Sequence, residues 1–312
     1  MTDTTGTAIR TDWADVPAAV RSAIECVVGA GVLEAETQSG GFSHGVAVRA
    51  LLTDGRRVFV KAIDADDDLV RMYRTEARTA ARLPDAIPTP SLHAGFDAEG
   101  WFAMVFDDVA GRHPRLDRED ERAAVLATVE DLRRLLTPSP IPGVPTFAEV
   151  YGPELNSWQR YAEEGPPADL DEWSSRNLAR LASLEAIWPD HAAGTTLLHT
   201  DLRPDNMLRR ADGSVVVIDW AWPCVGASWI DLAALVPSLV ARGVDPDPIL
   251  AAHPATRDVD PVVVDAFACG VLGYWERALR RPAPPRSPHL YRYRVAAARV
   301  TREWLRRRVH WQ

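Results

Sequence analysis

His199-Thr200-Asp201-Leu202-Arg203-Pro204-Asp205-Asn206, followed by Val215-Val216-Val217-Ile218-Asp219-Trp220, is the stretch whose reading decides the fold. An aspartate, an asparagine five residues later and a second aspartate at the end of a β-branched run bring three oxygen ligands near one point. Phosphoryl transfer needs such a set. One carboxylate orients an attacking hydroxyl and accepts its proton, while a second carboxylate and an amide oxygen hold Mg2+ on nucleotide phosphates. The His-x-Asp-x4-Asn spacing gains weight from Asp219, 18 residues beyond Asp201. The competing reading is a polar turn beside an unrelated buried strand end.

The N-terminal third offers an independent test. Phosphoryl transfer of this kind asks for a glycine loop over the phosphates, then a lysine on a following strand, then a helical glutamate to hold that lysine. Gly40, Gly41 and Gly45 flank Ser43, so backbone N–H groups and a hydroxyl can approach phosphate oxygens. Hairpins use the same glycines, and the loop alone says little. Lys61 falls on a predicted strand, and it is the only lysine among 35 basic residues. Glu76 follows 15 residues later in a predicted helix. The order of the three carries more than any one of them.

These residues resemble the catalytic and metal-binding segments of the protein-kinase-like superfamily, and more closely its small-molecule branch, the aminoglycoside phosphotransferase family. Thr200 stands where protein kinases have arginine, and Asp219-Trp220-Ala221 replaces Asp-Phe-Gly, which argues against activation-loop control. The resemblance covers roughly residues 20–280. It implies an α+β, bilobal protein-kinase-like fold: a β-rich nucleotide-binding lobe over 1–107 and a helical catalytic and substrate-binding lobe over 108–312. It further implies that Asp201 orients and deprotonates the acceptor hydroxyl and that Arg203 offsets charge on the transferred group. Asn206 and Asp219 would hold Mg2+, and Lys61, braced by Glu76, would fix the phosphates beneath Gly40, Gly41, Ser43 and Gly45. Phe106 would line the base pocket, with the backbone of Asp107 and Val109 meeting the base edge. That backbone recognition leaves ATP and GTP both open. His199 would pack beneath the catalytic loop, and Asp231 reads equally as its brace or as a helix N-terminal acid.

Around these motifs the patterning is coarse but legible. Strands are expected over 46–52 and 57–62, joined at Thr53-Asp54-Gly55, and again near 91–96 and 101–106. Helical spacing marks Val16, Val20, Ile24 and Val27, then 68–83, 119–136, 146–163, 171–188 and the stretch beyond Ile230, with a hairpin turning at Ala211-Asp212-Gly213.

Composition narrows the function classes. The chain has 312 residues, 46% hydrophobic and 25% charged, ordinary for a globular protein. Three cysteines far apart fit a reducing compartment. Met1-Thr2-Asp3-Thr4 lacks a leader pattern and no apolar run spans a bilayer, so a cytoplasmic protein without membrane contact is expected. Residues 281–312 hold nine arginines against Glu303, +8, so the remaining body carries −17 of the −9 total. Such a body repels nucleic acid and would favour a cationic small molecule. Acids between 163 and 172 and between 245 and 265 would welcome a polyamine such as an aminoglycoside, and equally water. The acceptor reading stays open among an aminoglycoside, another antibiotic, choline, homoserine and sugars. A nucleotide-binding pseudokinase and a metal-dependent hydrolase on His199, Asp201 and Asp219 are the alternatives of other classes. Oligomeric state has no sequence signal.

Overall fold

Alternating burial along five strands builds the first part of the chain. The computed structural model describes residues 8–312; Met1–Thr4, which carried the reading on a leader, lie outside the described residues. In chain order the elements are α1 (Ala18–Val28), β1 (Val32–Thr37), β2 (Val46–Leu52), β3 (Arg57–Asp64), α2 (Val70–Ala80), β4 (Leu92–Ala98) and β5 (Trp101–Asp107). There follow α3 (Glu119–Leu135), α4 (Phe147–Tyr151), α5 (Ser157–Glu164), α6 (Glu172–Arg176), α7 (Leu178–Glu185), α8 (Trp188–His191), β6 (Thr196–Leu198), β7 (Met207–Arg209), β8 (Val215–Val217) and β9 (Cys224–Gly226). Last come α9 (Ile230–Ala241), α10 (Asp247–Ala252), α11 (Pro261–Ala278) and α12 (Leu290–Val309).

The chain divides into two compact units. The first comprises the described residues up to Pro114 together with Pro204–Trp222 and Ala283–Leu290, and the second Arg115–Arg203, Pro223–Pro282 and Tyr291–Gln312. A single boundary at 107/108 is the expectation from the sequence; in the structure the segment Pro204–Trp222 also groups with the N-terminal strands.

In the first unit the strands form one antiparallel sheet ordered β1-β2-β3-β5-β4. Val46, Val48, Ala50, Val58, Val60, Ala62, Ala103 and Val105 lie on one face, against Val20 and Ile24 of α1. The period of two sends Ile63, Phe102, Met104 and Phe106 to the other face, where Tyr73 and Ala77 of α2 pack. The expected hairpin is present with Val48 opposite Val60. β1 was not expected, and it is an edge strand whose residues are half-buried or exposed.

The second unit is mostly helical, built around fully buried Trp158, Trp188 and Trp304. The expected helices over 146–163 and 171–188 resolve into shorter pieces. Gly152-Pro153 separates α4 from α5, because proline cannot continue the hydrogen-bond ladder. Asn177 ends α6 and opens α7. Trp158, Trp173, Trp188 and Trp229 are all core, leaving Trp275 half-buried. The basic tail is a helix with Val300, Trp304 and Leu305 buried and Val295 exposed. It is fastened by Arg302 to Glu276 and to Asp171 at 3.1 Å, and by Arg308 to Asp265 and to Asp247 at 3.0 Å. No helix among the described residues is long and apolar enough to cross a membrane.

A buried carboxylate caps α5 from outside its own segment. Glu185 accepts from the N–H groups of Trp158 at 3.3 Å and Gln159 at 2.9 Å, satisfying donors that a helix N-terminus leaves open. Burial nevertheless outweighs these donors and pushes the carboxyl from 4.5 up to about 7. The folded state therefore holds this proton more tightly than the unfolded chain. The associated stability is complete below about pH 4.5 and lost as the pH rises to about 7. The stability of the native protein relative to Glu185→Gln is expected to fall by about 3 kcal/mol across that window, read from urea unfolding at both ends.

Candidate functional site

β3 presents Lys61 on the same face as Ile63, and α2 presents Glu76 one turn from Tyr73, so the pair meets in the interior of the first unit. Lys61 Nζ bonds Glu76 Oε2 and lies 3.2 Å from Asp219 Oδ1 and 5.3 Å from the centre of the Tyr73 ring. Lys61 is 8% exposed and Glu76 3%. Burial favours the neutral amine, but the charges of Asp219 and Glu76 more than offset it, and the Lys61 pKa is raised. Burial, with Asp219 adding to it, holds the Glu76 carboxyl above its ordinary range despite Lys61.

The β7–β8 hairpin delivers Asn206 and Asp219 to its open end. Met207 pairs with Val217, and the Ile218 N–H donates to the Asn206 carbonyl at 3.0 Å, so residues 13 apart share adjoining backbone. Asp219 sits at φ 67, a conformation disfavoured for residues other than glycine and characteristic of functional sites. An amide oxygen and a carboxylate are hard donors that suit Mg2+, which keeps several ligands from water and phosphate. Among the described residues, no group of three or more His, Cys, Asp or Glu side chains could hold a metal ion.

The glycine loop is strapped by two remote segments of the same unit. Arg10 Nη2 donates to the Gly40 carbonyl at 2.7 Å, and its Nη1 to Ser43 Oγ at 3.3 Å and the Gly45 carbonyl at 3.4 Å. The Thr11 N–H reaches the His44 carbonyl at 3.0 Å. From the other side, Ser287 Oγ donates to the Phe42 carbonyl at 2.7 Å, while Arg286 Nη2 bonds Thr11 Oγ1 at 3.0 Å. Tyr73 Oη meets Ser43 Oγ at 3.3 Å, and His44 Nε2 meets Asp67 Oδ2 at 2.6 Å. Gly41 has φ 68, and a Cβ at Gly45 would stand 2.7 Å from the Ala62 carbonyl and collide with Tyr73, so both glycines are required by geometry.

Phe106, 6% exposed, ends the core of β5, and Asp107 follows with its N–H on the Ser91 carbonyl at 3.0 Å. Asp108 takes both arms of Arg49 at 2.7 and 2.8 Å. Asp107, Asp108 and Val109 line a cavity of about 570 Å³ together with Arg57 and Arg210 to Asp212; Lys61 and Asp219 do not line it.

Asp201 and Arg203 belong to the second unit, where Asp231 organises their loop. Its carboxylate accepts the N–H groups of His199 at 2.9 Å and Thr200 at 2.8 Å. Burial raises its pKa against the pull of His199. His199 Nδ1 in turn accepts the Asp201 N–H at 3.2 Å, and Tyr151 Oη meets Thr200 Oγ1 at 2.8 Å. Thr200 has φ 65 and is held there by both contacts. Asp231 is thus a brace as well as a first-turn acid of α9. Arg203 Nε stands 3.3 Å from Asp201 Oδ1, and its guanidinium lies 5.3 Å from the centre of the Tyr293 ring.

Several acids that the sequence offered to a cationic ligand are held by arginines: Asp169 by Arg280 at 2.8 Å, Asp171 by Arg302, and Asp247 and Asp265 by Arg308. Sequence reasoning missed Arg10, Ser287 and Tyr73. The first two act on backbone carbonyls, which leave no pattern in the chain. Tyr73 stood among the apolar positions of α2, where its hydroxyl had no visible partner. Arg10→Ala is expected to release three loop carbonyl and hydroxyl contacts at once. Amide hydrogen exchange over 40–45 should then rise by about tenfold or more, with α2 unchanged, in a mass-spectrometric comparison with the native protein.

The model of the phosphotransferase enzyme family matches residues 39–263, from the glycine loop into α11. A search of curated proteins gives no match. Among solved structures, the choline kinase LicA from Streptococcus pneumoniae is 16% identical, with a TM-score of 0.61 over 90% of this chain and 97% of that one. An aminoglycoside phosphotransferase from Alicyclobacillus acidocaldarius is 14% identical, with a TM-score of 0.56 over 92% and 96%. A thermostable mutant of aminoglycoside phosphotransferase APH(4)-Ia, in ternary complex with ADP and hygromycin B, is 15% identical, with a TM-score of 0.59 over 92% and 98%. At these identities the structures show the shared α+β fold, and the family match, covering well over half of the chain, shows that this protein belongs to the phosphotransferase enzyme family.

Proposed function

We propose that the protein moves the γ-phosphoryl group of ATP to a hydroxyl of a small molecule. The observation that carries this reading is the Lys61 ammonium held between Glu76 and Asp219, beside a glycine loop fixed from both sides. An ammonium so fixed positions nucleotide phosphates, and loop N–H groups can meet their oxygens. Solved relatives of the fold bind ADP or act on choline, which supports a nucleotide donor and a small alcohol as acceptor.

In this reading Asp201 orients the acceptor hydroxyl and takes its proton as the oxygen bonds to the γ-phosphorus. The bond from that phosphorus to the β–γ bridging oxygen breaks, and ADP leaves with the electron pair. Arg203, its Nε 3.3 Å from Asp201 Oδ1, offsets charge on the transferred group. Asn206 and Asp219 hold Mg2+, whose charge offsets that of the phosphates. Phe106 and the backbone of Asp107 and Val109 receive the base. Alignment and electrostatics supply most of the acceleration.

ADP release with Mg-ATP and a responsive acceptor checks this. Asp219→Ala is expected to lower turnover by about 10²–10³-fold or more, at least as much as Asp201→Asn, because it removes both a metal ligand and a partner of Lys61. Near-normal turnover in Asp219→Ala would overturn the assignment.

A further inference from the structure

The first turn of α12 is placed by the helix it packs on. Tyr293, Ala297, Val300 and Trp304 recur at three- and four-residue steps, one face of a helix, and the last three are buried. Arg302 on Glu276 ties α12 to α11, and Arg294 donates to the carbonyls of Ala278 at 2.9 Å and Arg281 at 2.8 Å, at and just past the end of α11. The Tyr293 ring meets Trp275 of α11 edge-on, 5.5 Å between centres. The same ring carries a cation, for the Arg203 guanidinium lies 5.3 Å from its centre. Arg203 Nε is in turn 3.3 Å from Asp201 Oδ1. Trp158, Trp188 and Trp304 are fully buried in the core of this unit, whereas Tyr293 is half-buried at its margin, next to a partly exposed ion pair.

We infer that Tyr293 is a positioning residue for the transfer: its ring holds the Arg203 guanidinium beside Asp201, so that α12 takes part in the reaction through one side chain. This inference rests on the phosphotransferase reading of Asp201 and Arg203. A long arginine side chain beside a partly exposed carboxylate is poorly fixed by that pair alone, because the gain barely offsets the entropy of ordering it. An aromatic face attracts the guanidinium through the ring quadrupole. It does so without cancelling the charge. A second carboxylate in the same place would hold Arg203 as well, but would neutralise the cation that the transferred group needs. Tyr293 fixes the position of Arg203 and leaves its charge to the phosphoryl oxygens. The ring face suffices for this, so phenylalanine should serve and an aliphatic side chain of similar size should not.

The test measures ADP release from Mg-ATP by the full chain with water as the acceptor, so that water adds to the γ-phosphorus, ADP leaves and phosphate is the second product. Tyr293→Leu is expected to lower kcat by about tenfold and to leave the KM for Mg-ATP within about twofold, because Arg203 acts on the group in transfer rather than on bound nucleotide. Tyr293→Phe should keep about half of the native rate or more. Tyr291→Leu, at an exposed position of the same turn, should leave the rate unchanged. Arg203→Met is expected to cost about 10²-fold, and the double variant Arg203→Met/Tyr293→Leu no more than about twofold beyond that, since the ring acts through a guanidinium already removed. An unchanged kcat in Tyr293→Leu, an equal loss in Tyr293→Phe or in Tyr291→Leu, or additive losses in the double variant overturns the inference and leaves the phosphotransferase reading standing. A native rate in Arg203→Met overturns the role of Arg203 and this inference with it. Absence of ADP release from the native protein overturns the phosphotransferase reading as well.

Discussion

A buried ammonium organises the first unit. Lys61 is 8% exposed, and an ion removed from water costs several kcal/mol unless opposite charges meet it in good geometry. Glu76 from α2 and Asp219 from the end of the β7–β8 hairpin meet it, so strand, helix and hairpin are locked to one atom. Neither the strand nor the helix can shift without stranding a charge in the interior. The Tyr73 ring beside Lys61 reaches Ser43 through its hydroxyl, which carries the constraint into the glycine loop.

Two strained backbone positions fall among the candidate site residues. Asp219 and Thr200 both have positive φ without being glycine, and one is a candidate metal ligand while the other precedes the candidate base. Such conformations cost about 1–3 kcal/mol each and persist where the surroundings over-determine them. At Thr200 the determinants are the Asp231 carboxylate on its N–H and Tyr151 on its hydroxyl. At Asp219 they are the Lys61 ion pair and the hydrogen bond that ties Ile218 to Asn206. A buried acid in each unit, Asp231 in one and Glu76 in the other, serves to hold geometry and is raised in pKa by its burial.

What could be read from the chain followed from periodicity and from residue types with one use. The β2–β3 hairpin was legible because Val46, Val48, Val58 and Val60 alternate around Thr53-Asp54-Gly55, and Lys61 because it has no rival. β1 escaped because Glu34 and Glu36 leave an exposed edge strand without an apolar face. Helix breaks at Gly152-Pro153 and Asn177 were bridged by apolar spacing that continues across them. The strap on the glycine loop joins residues 30 to 35 apart at Arg10 and 245 apart at Ser287, chiefly through backbone oxygens, and such contacts have no local signature. Of the acids that the sequence offered to a cationic ligand or to water, Asp171 and Asp247 are held by Arg302 and Arg308 from far along the chain, contacts that leave no local signature either.

The bias toward arginine and the place of the only lysine have one explanation. A guanidinium is a planar fork with five donors, and this protein uses it where two oxygens lie side by side, as in Arg49 on Asp108, Arg133 on Glu130 and Arg10 on the loop carbonyls. At position 61 the demand is different. Glu76 Oε2 and Asp219 Oδ1 come from different elements and converge on a single nitrogen, with an aromatic ring alongside and almost no solvent. A fork placed there could not turn all its donors toward these acceptors, and each buried N–H left over would cost about 1–3 kcal/mol. A compact ammonium with three rotatable donors fits the two carboxylates and keeps one donor direction for a third anion. The position proposed to meet a phosphate is therefore also one that suits an ammonium better than a guanidinium.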